Sequence, residues 1–256
     1  MNPLTKFLFE LQESSLLFWR VLAGLGKRPR YVSEIISQMD MIGVGSLAIV
    51  ILTGFFTGGV LILQAYPTLE YYGATSQAGR GVATSLIREL GPVLCALMVA
   101  GRVGSAISAE LGSMVVSQQI DAMRALGTSP IRKLVTPRVA ALVITLPLLT
   151  VASDVFGLVG GGIVAANIYG LDTSVYANSV RNGVDINDIL GGVVKPLFFA
   201  VIIGIVACRK GLSTSGGTVG VGQSTTSAVV VASITVIIAD FFLSKIIQTF
   251  LQGTMF

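Results

Sequence analysis

Residues 41–66 read Met41-Ile-Gly-Val-Gly-Ser-Leu-Ala-Ile-Val50-Ile-Leu-Thr-Gly-Phe-Phe-Thr-Gly-Gly-Val60-Leu-Ile-Leu-Gln-Ala-Tyr66, without one charged side chain. As a helix at about 1.5 Å per residue this run is ~39 Å long, enough to cross a hydrocarbon core of about 30 Å. Four more apolar stretches follow. Residues 82–112 are interrupted by Arg88, Glu89 and Arg102; residues 139–169 hold Pro147 and Asp154. Residues 189–208 hold Lys195 and Pro196; residues 228–250 hold Asp240 and Lys245. The expected fold class is an all-α polytopic membrane protein with five transmembrane helices. Residues 1–40 form an N-terminal interfacial segment and residues 41–252 the membrane domain.

Composition agrees. The 256 residues are 53% hydrophobic and only 12% charged, with a mean hydropathy of +0.82. A soluble domain carries about 25% charged residues, so an ordinary soluble enzyme and a disordered tail are both excluded. The chain has no histidine, which removes histidine acid–base catalysis, histidine metal sites and Ser–His triads together. Cys95 and Cys208 both lie in apolar stretches and suggest neither a disulfide framework nor a metal site. The first thirty residues scatter Glu10, Glu13, Arg20, Lys27 and Arg28 among apolar ones, unlike a cleavable signal peptide. Leu4, Phe7, Leu8, Leu11, Ser15, Phe18 and Leu22 recur near helical spacing, with Trp19 alongside. That is the pattern of an amphipathic helix in the membrane interface; a helix docked on its own protein is the alternative.

The basic residues fix orientation. Lys6, Arg20, Lys27, Arg28 and Arg30 precede the first span. Arg124, Arg132, Lys133 and Arg138 lie between the second and third, and Arg209 and Lys210 between the fourth and fifth. The opposite connections hold only Arg80 and Arg181, near Glu70, Asp172 and Asp185. Cytoplasmic loops carry the excess of Lys and Arg, so the N-terminus is expected in the cytoplasm and the C-terminus outside. The grouping reports topology, and no nucleic-acid partner is expected.

Within the second span Ala96, Ala100, Gly104, Ser108 and Gly112 recur every four residues. Such a face lets helix backbones approach closely, either inside one chain or between subunits, so Ala100, Gly104 and Ser108 are candidate dimer or packing residues. Gly54/Gly58 and Gly157/Gly161 are further pairs of this kind. Asp154, Lys195 and Asp240 lie about 24, 21 and 21 Å along their helices from the basic side, and Arg88 and Glu89 near the outer end of theirs. Charges inside a membrane are costly unless paired or facing water. Asp154, Lys195 and Asp240 are therefore an expected intramembrane charge network, and Arg88 and Glu89 an expected polar cavity.

Residues 117–127 are expected as a short cytoplasmic helix between spans two and three, with Ser117 as its N-cap and Gly127 as its stop. A partner-docking element and a mere connector both fit it. There is no GxxxxGK[ST] sequence, and Gly26-Lys27-Arg28 lacks the rest of that motif, so no nucleotide site is expected in this chain. The glycine-rich run 211–222 reads as a flexible loop.

Several linked motifs then stand out: Arg88-Glu-Leu-Gly-Pro-Val-Leu94, Ala100-Gly-Arg-Val-Gly-Ser105, Ala109-Glu-Leu-Gly112, Gln119-Ile-Asp-Ala122 and Pro137-Arg138. In combination they resemble the MlaE/YrbE permease family, membrane subunits of ABC-type lipid transporters that work with MCE-domain proteins. The resemblance covers roughly residues 30–252. It implies a homodimer in the bacterial inner membrane, with a phospholipid held in an outward-facing cavity at the dimer interface. It also implies an MlaF-like ATPase, which holds the ATP and magnesium, docked on Ser117, Gln118, Gln119, Ile120, Asp121, Ala122, Met123 and Arg124. An MlaD-like MCE-domain protein on the outer side is implied, and a small MlaB-like STAS-domain partner is compatible with it. The chain departs from the family at Gln118, where an acidic residue usually stands, so no ionic contact to the ATPase carries over there.

Given a lipid substrate, Arg88, Glu89 and Lys195 sit at head-group depth. Tyr71 and Tyr72 lie at the interface, and Leu61, Leu63 and Leu86 are candidates to line acyl chains. The expected function is a non-enzymatic transporter subunit moving phospholipid between the inner membrane and a periplasmic carrier. An ion- or proton-coupled secondary transporter and a non-transporting anchor for the MCE partner are the alternatives.

Overall fold

The computed structural model describes residues 3–25 and 31–252; the side chains of Leu4, Phe7, Leu8 and Leu11, and residues Lys27, Arg28 and Arg30, lie outside what it describes. The described residues form helices joined by short turns, with no strand among them. The helices are α1 (Pro3–Leu25), α2 (Val32–Tyr71), α3 (Ala78–Ser85), α4 (Gly91–Val99), α5 (Ser105–Val116), α6 (Gln119–Ala125), α7 (Thr136–Tyr169), α8 (Thr173–Gly183), α9 (Ile186–Leu212) and α10 (Gly217–Gln252). Five helical stretches are long and apolar enough to cross a membrane: Val32–Tyr71, Thr75–Val116, Ile131–Tyr169, Ile186–Leu212 and Gly217–Thr249.

Each stretch starts before the apolar run that announces it, because polar helix ends continue into the interface where water can satisfy them. The second is one path of three helices joined by π-helical turns at Leu86–Leu90 and Ala100–Gly104. A third π-turn, Ile131–Val135, leads into α7. The run 211–222 is not the expected flexible loop. Helix α9 continues to Leu212 and α10 starts at Gly217, leaving a short turn in which Gly216 and Gly217 take positive φ of 87° and 70°.

The chain forms two compact units. The first comprises the chain up to Ile42, Val99–Thr145 and Phe198–Val236. In it, α5 packs on α9 through the small-residue face. A Cβ on Gly104 would stand 3.6 Å from Ile203, and one on Gly211 would meet the backbone of Ser108 at 2.9 Å. Ala100 and Ser108 are fully buried. The face is thus occupied inside one chain and is not open to a second copy. Helix α1 docks Leu17 and Val21 inward, and its Gly24 lies against Thr136 and Arg132. Phe18 and Leu22, on the apolar stripe expected to face the membrane interface, are half-buried and exposed respectively; the side docked on the protein is that of Leu17 and Val21. Leu17 and Val21 thus dock on the protein, as the second of the two readings of this helix expects.

The second unit comprises Gly43–Met98, Leu146–Leu197 and the chain from Ile237 onward. Here α2 and α7 cross through the two expected glycine pairs. A Cβ on Gly58 would overlap the carbonyl of Gly157, and one on Gly54 that of Ser153. Ile62, Tyr66, Ala78, Val82, Leu86, Ala165 and Tyr176 form its apolar core. Tyr66 stacks on Tyr169 with centroids 4.0 Å apart. Helix α8, which the sequence pattern did not announce, lies on α3: Ser179 Oγ accepts from the Arg80 N–H at 3.0 Å. Burial pushes the Tyr176 hydroxyl up to about 12, and it stays protonated and donates to the Leu158 carbonyl at 3.2 Å.

Candidate functional site

Pro92 opens the site. It has no N–H, so the carbonyl four residues earlier, that of Arg88, lacks its α-helical donor. The π-turn Leu86–Leu90 spans this defect, and π-bulges are frequent where function needs a displaced backbone. Lys195 supplies the missing donor, with Nζ 2.6 Å from the Arg88 oxygen. Glycine on α9 makes the reach possible: a Cβ on Gly192 would stand 2.6 Å from the Ile87 carbonyl. Asp188, Gly192 and Lys195 lie four and three residues apart, on one face of α9.

Lys195 is almost wholly buried, at 2% exposure. Besides the Arg88 carbonyl it donates to Glu89 Oε2 at 2.6 Å and Ser244 Oγ at 2.8 Å. Those three bonds use every donor an ammonium has. Asp240 Oδ1 stands 3.2 Å away and contributes charge. Ser244 Oγ in turn donates to Glu89 Oε2 at 3.0 Å. Asp240 and Ser244 are four residues apart on α10, again one face. Arg88 turns the other way, with Nε 2.7 Å from Asp188 Oδ1 and Nη2 donating to Oδ2 at 3.1 Å. Adjacent residues on a helix diverge by about 100°, which is why Arg88 and Glu89 have separate partners.

These side chains line a cleft with Gly191, Ile247 and Gln248. Arg88 is 40% exposed and Glu89 49%, while Asp188 and Lys195 are buried. The buried partners hold the two half-exposed charges in place, so the cleft presents a guanidinium and a carboxylate side by side. It can receive a ligand bearing both a phosphate and an ammonium.

The structure thus brings Arg88, Glu89, Lys195 and Asp240 together. Asp154 does not join them. It lies on α7 against Gly91, whose Cβ would overlap its carboxylate, and its Oδ1 is buried without a hydrogen bond. Tyr71 and Tyr72 are 85% and 74% exposed at the end of α2, and neither lines the cleft. Nor do the leucines: Leu86 is core, packed on Gly157, Leu61 packs on the same core, and Leu63 points outward. Which face of a helix turns inward depends on its neighbours, and the sequence of these segments, apolar all round, does not reveal it. Asp188 and Ser244 were missed, although each lies at helical spacing from Lys195 or Asp240.

In the first unit, the short helix is Gln119–Ala125, narrower than 117–127. Ser117 ends α5, its hydroxyl donating to the Ser113 carbonyl at 2.8 Å, and so is not an N-cap. Gln118 turns the chain in the left-handed conformation, φ 59°. Ile120 anchors the helix at 3% exposure, and Ser117, Gln118, Gln119, Asp121, Ala122 and Arg124 are exposed, with Met123 half-buried. Arg124 pairs with Asp121 at 3.0 Å. Two motif residues not singled out for a role, Glu110 and Arg138, form a 2.7 Å ion pair in which Arg138 is buried.

A protein-family profile described as Permease MlaE matches residues 35–246. The chain belongs to the MlaE permease family. It is 44% identical, over 86% of its length and 82% of the relative's, to a probable ABC transporter permease protein of Synechocystis sp.. To a probable ABC transporter permease protein of Rickettsia prowazekii it is 41% identical over 91% of this chain and 90% of that one. To the intermembrane phospholipid transport system permease protein MlaE of Haemophilus influenzae it is 36% identical over 94% and 92%. This MlaE-family chain is an ABC transporter permease subunit and a multi-pass membrane protein; ATP hydrolysis belongs to a separate ATPase subunit. That energy source displaces the ion-coupled secondary-transporter reading.

Proposed function

We propose that the chain forms the membrane pathway of a transporter that moves phospholipid between the bacterial inner membrane and a periplasmic MCE-domain carrier. The observation that carries this is the cleft around Lys195, where Arg88 and Glu89 stay half-exposed on buried partners. A phosphate takes parallel hydrogen bonds from the Arg88 guanidinium, and Glu89 meets a head-group ammonium. The name of the Haemophilus relative supports the substrate class. The working assembly is a homodimer with an MlaF-like ATPase on α6 and an MlaD-like protein on the outer side; an MlaB-like STAS protein completes it where present. ATP and magnesium are held by the ATPase. Hydrolysis alternates two packings of the dimer that differ in affinity for lipid.

The test is co-expression with the ATPase and MCE partners, followed by lipid analysis of the purified complex and ATP-dependent transport in proteoliposomes. Arg88→Ala and Glu89→Lys should lower both co-purified phospholipid and transport, with the ATPase still bound. Unchanged values for both observables would remove the cleft from the pathway. Bound lipid with failed transport would assign these residues to the conformational switch.

A further inference from the structure

The first unit holds a second cleft, formed by α1, the connection from α6 to the Ile131–Val135 turn, and the end of α9. Arg20, Arg124 and Arg209 line it, and Arg132 lines the recess beside it that also includes Arg20. The described carboxylates around it are Glu13, on its wall, and Asp121, paired with Arg124. The described lining thus carries three guanidiniums and the Glu13 carboxylate, and planar guanidinium donors match a phosphate bidentately.

The wall of this cleft is also apolar. Phe9 lines it and is 53% exposed. Leu16 and Trp19 on the same helix are exposed as well, Trp19 at 67%. An exposed tryptophan and exposed aliphatic or aromatic side chains next to basic ones mark a helix lying at the head-group level of a bilayer. A soluble acidic partner would match the arginines but give Trp19 and Phe9 nothing to bury against. The basic connections of this unit belong on the cytoplasmic side, where anionic lipids concentrate and attract arginine.

We propose that this cleft binds the phosphate of an anionic phospholipid of the cytoplasmic leaflet, and that the bound lipid ties α1 to the segment leading into α7. None of the residues of the Lys195 cleft takes part, and the inference is independent of the transported substrate.

Trp19 is the only tryptophan of the chain, so intrinsic fluorescence reports this locus alone. The full chain is reconstituted in phosphatidylcholine vesicles containing a fixed small fraction of either brominated phosphatidylglycerol or brominated phosphatidylcholine. Brominated phosphatidylglycerol should quench Trp19 the more strongly, with the preference fading as salt is raised. Neutralising Arg20 or Arg209 (Arg20→Gln, Arg209→Gln) should reduce the preference about fivefold each, whereas Arg181→Gln on α8 should not change it. Equal quenching by the two lipids in the wild-type protein would overturn the proposal, whatever the variants do. Loss of the preference in inorganic phosphate, against chloride at equal ionic strength, would make the cleft a soluble-anion site. Loss of the preference on adding the ATPase subunit, with Arg20→Gln and Arg209→Gln losing ATPase binding, would assign it to a protein partner. Either result overturns the lipid assignment.

Discussion

Lys195 is a cation with no donor to spare and almost no contact with water, and its three acceptors come from two helices other than its own. Removing one member of a buried, hydrogen-bonded charge set leaves the others uncompensated and costs about 3–5 kcal/mol. Lys195→Met should therefore destabilise the subunit by an amount toward the lower figure, since Glu89 is half-exposed and water can rescue it. Thermal unfolding in detergent measures this. Adding Asp240→Asn to Lys195→Met should recover part of the loss, because the second substitution removes one orphaned charge. A double variant less stable than the single would show that Asp240 is held by something other than Lys195. At this scale the sequence revealed which residues are costly in a membrane but not who meets whom. Lys195 and Asp240 were expected together, and Asp154 with them. Asp154 sits on a helix whose facing residue is Gly91, and no periodicity of α7 alone discloses that rotation.

Helix α6 is short, and one buried residue, Ile120, fixes it, while its other side is exposed. Its exposed face is free for a partner, and Asp121 and Ala122 lie on it. Asp121→Arg or Ala122→Trp should leave the permease folded and inserted but abolish co-purification of the ATPase or its lipid-stimulated activity. Normal assembly and turnover in both variants would make α6 a connector. Helix α8 carries a cap that titrates: hydrogen bonding from the Ser174 side chain, and then from the Ser174 N–H at 2.7 Å, holds the Asp172 carboxyl below the usual aspartate range. A lowered folded value contributes stability above the unfolded pKa of about 3.9 that disappears as pH falls through the folded one. Amide exchange in α8 should thus be flat from pH 7 to pH 5 apart from intrinsic chemistry, and should lose protection at lower pH. Asp172→Ala should exchange faster at pH 7 and lack that acid step. The element scale is where the sequence was most legible, since uncharged length and small-residue spacing announce spans and close crossings directly. Gly54 and Gly58 do meet the backbone of α7 at Ser153 and Gly157. Helix α8 escaped because its apolar residues serve a local contact with α3, and the π-turns because only Pro92 hints at one.

For the whole molecule, orientation rests on charge placed in loops and is independent of which helix touches which. Lys and Arg resist translocation when they flank a span, and the described basic residues flanking the spans in the first unit, among them Arg20, Arg124, Arg132, Arg138 and Arg209, outnumber Arg80 and Arg181 in the connections of the second. Five spans read correctly although every expected start lay inside the observed helix: apolar composition sets the crossing, and capping and solvent set the ends. The chain is suited to a direct test of its topology. Cys95 and Cys208 are its only cysteines and both are buried, so the wild-type protein should stay unlabelled by a membrane-impermeant maleimide. Leu126, 82% exposed just beyond α6, and Asn182, exposed near the end of α8, lie in connections that the charge rule assigns to opposite sides. In cells with a permeabilised outer membrane, Asn182→Cys should label and Leu126→Cys should not; in inverted inner-membrane vesicles the pattern should reverse. The opposite result would turn the subunit over, set α6 away from any cytoplasmic ATPase, and place the Lys195 cleft where no periplasmic carrier could reach it.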